Sequence, residues 1–109
     1  MTRGIQVLEE QPGSGATAKS SDFVTFDLEI ALSQGDIVTQ RQEFTTRLGS
    51  RQLIAGVEKA IMGMQEGGYR KVKVSPHLAY GDAGVPGTIP SNALLVCQVW
   101  LKRVSKTHT

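Results

Sequence analysis

The clearest signal in the chain is an alternation. Between residues 23 and 32, Val24, Phe26, Leu28, Ile30 and Leu32 fall on one side, while Thr25, Asp27 and Glu29 fall on the other. That period of two predicts a half-buried strand. Ser33-Gln34-Gly35-Asp36 supplies a hairpin turn, so residues 37–40 are expected to return as its partner. Residues 44–48 form a weaker strand candidate, closed by Gly49-Ser50. The period then changes. Leu53, Ile54, Val57, Ala60, Ile61 and Met64 recur at helical spacing with Glu58 and Lys59 left for solvent, which predicts one helix from about residue 53 or 54 to 62. Gly63 and Gly67-Gly68 stop it. Alternation resumes over residues 69–74, with Val72 and Val74 inward and Lys71 and Lys73 outward. A mainly apolar run follows over 94–104, and residues 4–10 read as a short first strand ended by Gln11-Pro12-Gly13. Four to six strands and one short helix covering a sheet face define an α+β fold.

Between the last two strands lies SPHLAYGDAGVPGTIP, residues 75–90. Gly81, Gly84 and Gly87 recur at intervals of three, and Pro86-Gly87 favours a type II turn, in which Pro presets φ and Gly accepts a positive φ. Leu78, Val85 and Ile89 are more apolar than a purely solvated loop needs. A loop this long in a small domain is commonly functional or disordered. The strand that follows anchors its exit, so a binding loop over an apolar cavity is expected, with Tyr80 as its single well-placed polar group.

Composition narrows the function classes. The 109 residues suit one domain, 1–109, with a modest core, and there are no internal repeats. Twelve basic and ten acidic residues leave a scattered net charge of +2, which implies neither nucleic acid nor membrane attraction. No apolar leader is visible, and the one cysteine, Cys97, cannot form an internal disulfide; a reducing, cytoplasmic setting and a monomer are the expectations. The string GSGAT lacks the lysine and spacing of a phosphate loop and reads as a turn.

Candidate chemistry is sparse. His77 stands at the loop entrance and His108 in the polar tail, and neither has metal-ligand spacing with Cys97 or a carboxylate; no metal and no cofactor are expected. Glu9, Glu10, Asp27 and Glu29 fall on solvated strand faces, and Arg70, Lys71 and Lys73 read as a solvated basic cluster. Cys97, between Val96 and Gln98, reads as an inert buried thiol. Trp100 can pack or stand partly exposed. Tyr80 can be a turn tyrosine bonded to backbone, or the one hydroxyl of an apolar pocket for an uncharged ligand.

Beyond these residue-level readings, LAYGDAGVPGTIPSNALLVCQVWLKRV resembles the C-terminal third of FK506-binding-protein (FKBP) type peptidyl-prolyl isomerases, whose pattern is roughly AYG-x-x-G-x-P-x-x-IP-x-x-A-x-L-x-F-x-V-x-L. Upstream, LGSRQLIAGVEKAIMGMQEGGYRKVKVSP is similar to the family's LG-x-x-x-VI-x-GWE-x-x-L-x-x-M-x-x-G-x-[KR]-[KR] pattern, and DFVTFDL lies on its D-x-V-x-V-H-Y strand. The resemblance covers nearly the whole chain. It implies an antiparallel, strongly curved sheet of about five strands wrapped around one short helix. It also implies an isomerase of X-Pro bonds in proline-containing peptides or proteins. By the same resemblance, the Ile54 backbone N–H and the Tyr80 hydroxyl hold ligand carbonyls, Val85 and Ile89 supply walls, and Phe44 and Leu53 match the family's aromatic and its aliphatic neighbour.

The departures are specific. Val57 stands where the family has a tryptophan floor, and Leu28 where it has a tyrosine. Val38-Thr39 replaces a phenylalanine-aspartate pair, and Cys97 replaces an aromatic of the last strand. The chain is also a few residues shorter than usual between positions 39 and 48. A wider, still apolar pocket with fewer flat surfaces is expected, hence reduced turnover and weak affinity for FK506-like macrolides. The alternative is a non-catalytic peptide-binding or chaperone module that uses the same groove.

Overall fold

The computed structural model describes residues 4–106. Five strands form one antiparallel sheet: β1 (Ile5–Gln11), β2 (Phe23–Leu32), β3 (Ile37–Arg47), β4 (Tyr69–Val74) and β5 (Leu95–Ser105), in the spatial order β1-β4-β5-β2-β3. One helix, α1 (Ala55–Ile61), lies across the sheet against β4, β5 and β1. The alternation read in residues 23–32 is realised side chain by side chain. Val24, Phe26, Leu28, Ile30 and Leu32 are buried under the helix together with Val72 and Val74 of β4 and Leu95, Cys97, Val99 and Leu101 of β5. Val57, Ala60 and Ile61 close this core from the helix side. At roughly 25 cal/mol per Å2 of apolar surface removed from water, that shared face is the main stabilising term.

The first-half expectations need one correction. Residues 37–40 and 44–48 are not two strands but the two ends of β3. The chain crosses the gap through a bulge: Phe44 pairs with Phe26 and Arg41 with Leu28, so three steps on β3 match two on β2. Glu43 takes a positive φ of 52°, and the Asp27 carboxylate accepts a hydrogen bond from its N–H at 2.9 Å. A side chain thereby replaces the ladder bond that the bulge removes, and the strand bends rather than ends. A second shift follows between Ile30–Thr39 and Ala31–Ile37. Such bulges bend the strands that carry them, as a sheet wrapped around a helix requires.

Arg70 also departs from the solvated cluster expected of it. β4 is an interior strand, and Arg70 donates to the Ala60 carbonyl at 2.8 Å, so it satisfies an acceptor left over at the end of α1 while pairing with Glu10. Lys71 and Lys73 do point to the other side, where Lys71 meets Glu9 at 3.5 Å. That outer face is polar and partly aromatic. Tyr69 and Trp100 are cross-strand partners with ring centroids 5.3 Å apart, which resolves Trp100 as partly exposed. Tyr69 donates to Gln98, which in turn donates to Glu29. Glu9 and Glu29 stand near the Tyr69 phenol, but burial is the first cause that holds its pKa above the ordinary value.

Candidate functional site

The residues that the family resemblance marks for a site lie at the start of α1, on the long loop and on the edge strand β3. The first member is set by how the helix begins. Ile54 precedes α1 in extended conformation (φ −62°, ψ 149°) and no side chain caps it. Its carbonyl accepts from Val57 N–H at 3.0 Å, while its own N–H has no acceptor among the described residues. A free amide at this position is expected, because the first N–H groups of any helix lack partners within it. Gly56 explains how closely this end approaches its surroundings: a Cβ there would collide with the Val74 side chain and lie 3.2 Å from the Leu78 carbonyl oxygen.

Leu78 leads into the second member. A short 3-10 turn, Pro76–Leu78, opens the loop, and the Pro76 carbonyl accepts from both Ala79 and Gly81 N–H. Tyr80 follows, half-buried and packed against the core, and its hydroxyl has no partner among the described residues. Beyond it the loop is fixed by its own backbone. Gly84 N–H donates to Tyr80, Val85 and Ile89 exchange two bonds of 2.8 Å, and Asn92 N–H donates to Gly81 at 2.9 Å. Gly87 has φ +79° and Thr88 N–H reaches the Val85 carbonyl, which is the type II turn that Pro86-Gly87 foreshadows. The loop is therefore a built wall. Val85 is half-buried and Ile89 buried, both against the core.

The remaining candidates lie on β3 and just before the helix. Phe44 meets Phe26 edge-on at 5.8 Å, Thr39 pairs with Ile30, and Val38 packs on the core from within the second bulge. Leu53 is half-buried beside Ile54. Leu28, Val57 and Cys97 lie deeper: Val57 and Cys97 have no exposed surface, and Leu28 retains 4%. These three are core residues, whereas Phe44, Leu53, Ile54, Tyr80 and Val85 keep surface. Burial pushes the Cys97 thiol up to about 12, so almost none of it is thiolate at neutral pH.

One residue of this face was not legible as a site residue. The guanidinium of Arg41 stands 5.0 Å over the Phe44 ring, within cation–π range. Counting by twos from Phe44 puts Arg41 on the outer side; only the bulge at Glu43 brings it over the ring.

His77 is exposed, and no cluster of potential metal ligands exists among the described residues; His108 lies outside them. A cavity of about 680 Å3 lies at the outer face and the β3 edge, between Asp27, Glu29, Gln40, Arg41 and Trp100. Its lining mixes both charges and holds no nucleophile with a base.

With fold and site in view, the chain belongs to the FKBP-type peptidyl-prolyl cis-trans isomerase family, whose model matches residues 14–102. It is 35% identical to FK506-binding protein 4 of Chaetomium thermophilum over 95% of this chain and 22% of that protein. It is 38% identical to the 46 kDa FK506-binding nuclear protein of Spodoptera frugiperda, over 93% of this chain and 26% of that one. Among solved structures it superimposes on FkpA from Escherichia coli with a TM-score of 0.78 and 34% identity, covering 93% of this chain and 47% of FkpA. The chain thus spans about a quarter of the curated relatives it matches and about half of FkpA.

Proposed function

We propose that the domain catalyses cis-trans isomerisation of X-Pro bonds by holding the peptide between the Ile54 amide and the Tyr80 hydroxyl. The observation that carries this reading is the pair of uncommitted donors, one at the start of α1 and one on the loop that adjoins it. Family membership supplies the reaction class. The chemistry needed is modest. Amide resonance sets a barrier of about 18–20 kcal/mol to rotation. A twisted amide has lost much of that resonance and dipole, so apolar walls favour it over the planar ground state. No nucleophile or proton transfer is required.

The walls are Phe44, Leu53, Val85 and Ile89, with Leu28, Val57 and Cys97 beneath and Val38 and Thr39 at the edge. Because aliphatic residues stand at 28 and 57, and a thiol at 97, the ring of a bound proline meets few flat surfaces. We infer reduced turnover and weak binding of FK506-like macrolides from the same replacements. They also favour a second reading, a peptide-binding module in which the groove holds an apolar segment without accelerating it.

An exchange measurement by NMR on a Leu-Pro-Phe peptide separates the two readings. Isomerisation above the spontaneous rate, reduced about five- to tenfold by Tyr80→Phe, is expected for loss of one hydrogen bond worth about 1 kcal/mol or slightly more. A spontaneous rate with the native chain would overturn the enzyme reading, and binding without acceleration would establish the module.

A further inference from the structure

We infer that Arg41 makes this site selective for peptides with a carboxylate beside the proline. The inference rests on the proposed site, whose edge it occupies, and follows from an accounting of charge on the β2–β3 ribbon. Four carboxylates lie there, and each is committed elsewhere. Asp27 accepts from the Glu43 N–H and meets Lys102 at 3.3 Å. Glu29 accepts from Gln40 and Gln98. Glu43 faces Lys102 and Arg103 at 3.4 Å each. Asp36 accepts from Gln34 in the hairpin. Arg41 has no ion pair and no side-chain hydrogen bond among the described residues; its guanidinium lies over the Phe44 ring, and it borders the cavity at the β3 edge.

Placement turns this spare charge into a recognition element. Arg41 pairs with Leu28 and Thr39 with Ile30, so both belong to the concave side, and the residue that could neutralise Arg41 along that side of the strand is a threonine. Phe44 is half-buried and packed on the core, so the ring supports the guanidinium from one side and leaves its five N–H donors for a ligand. A planar guanidinium held over a ring is pre-organised for bidentate contact with a carboxylate. A peptide seated against Phe44 would bring the side chains next to its proline to this donor. The ligand class is therefore an acidic X-Pro or Pro-X segment, with Glu or Asp adjacent to the proline.

The test uses matched peptides that differ only in Glu, Gln or Lys on either side of the proline. Dissociation constants are read by NMR titration and kcat/KM by exchange, for the native chain and for Arg41→Gln and Arg41→Glu. Expected is a three- to tenfold preference for Glu over Gln in the native chain, shrinking as salt rises, absent in Arg41→Gln, and turned toward Lys in Arg41→Glu. Equal binding of all three peptides by the native chain, or a Glu preference that survives Arg41→Gln, overturns the inference. Selective binding with no acceleration supports it while overturning the isomerase reading. Acceleration without selectivity does the reverse. No binding of any peptide overturns both.

Discussion

The two sides of the proposed site are built by different means. On the loop side, Tyr80, Val85 and Ile89 are held by backbone bonds that the loop makes to itself, with glycines wherever φ turns positive. On the β3 side, a carboxylate on the neighbouring strand holds a non-glycine residue in a left-handed conformation, and the strand bends at that contact. A wall made of turn chemistry is local and rigid; a wall made by a bulge depends on a charge. The difference predicts where each will fail.

The loop should fail hardest through its backbone. A Cβ on Gly84, which has φ +59°, would sit 2.7 Å from the Pro90 carbonyl oxygen and closer still to that of Ile89. Gly84→Ala is expected to destabilise by about 2–3 kcal/mol, since the positive φ strains an alanine and the Ile89 carbonyl cannot move without opening its bond from the Val85 N–H. Calorimetry should show a clear fall in Tm, and an unchanged Tm would mean that the loop is not pinned as described. On β3, Phe44→Ala removes a half-buried ring from Phe26 and Arg41, with an expected loss of about 2 kcal/mol, short of a fully buried phenylalanine. If denaturant unfolding placed its cost above that of Gly84→Ala, the ranking of the two walls would be inverted.

The smallest effect is electrostatic. The Glu43 N–H, before Lys102, holds the Asp27 carboxyl below its ordinary pKa of 3.8. Asp22 is lowered likewise, first by its hydrogen bond from Lys106 and then by the Lys19 N–H. Since the folded form binds the proton more weakly, both contributions are complete above the ordinary value. They fade as pH falls from 3.8 through the lowered folded values. Asp27→Asn should flatten part of that acid limb and loosen β3 while leaving the loop intact, which amide exchange read strand by strand can follow. An acid limb unchanged by Asp27→Asn would disconnect the carboxylate from the bulge.

The same contrast explains what could be read from the chain beforehand. The strand at 23–32, the helix and the loop were legible because each obeys a local rule: period two, period three to four, or turn chemistry. Ile54 was one residue from where the helix begins, and Pro86-Gly87 made the turn its sequence favours. β3 was split in two because Asp27 and Glu43 are 16 positions apart, and no local rule joins a carboxylate to a distant N–H. Arg41 was missed for that reason, and so was Arg70, whose acceptor is the end of a helix that packs on its strand. The floor residues Leu28, Val57 and Cys97 were identifiable as apolar, but their depth depends on packing that only the assembled layers define.

Two bulges on β3 also bear on how this edge can change in length. Each shifts the facing of residues by one, so the second cancels the first, and only residues 39–41 between them have exchanged sides while the hairpin at Ser33–Asp36 keeps its register. Deleting the extra residue of either bulge would close a regular ladder and leave the pairs on both sides of it, the hairpin included, as they are. Deleting both would still set Arg41 opposite Leu28 and Thr39 opposite Ile30, but would straighten the strand. The bulges are thus spare links: the edge can shorten by two residues and lose its bend while the same side chains stay opposite Leu28 and Ile30.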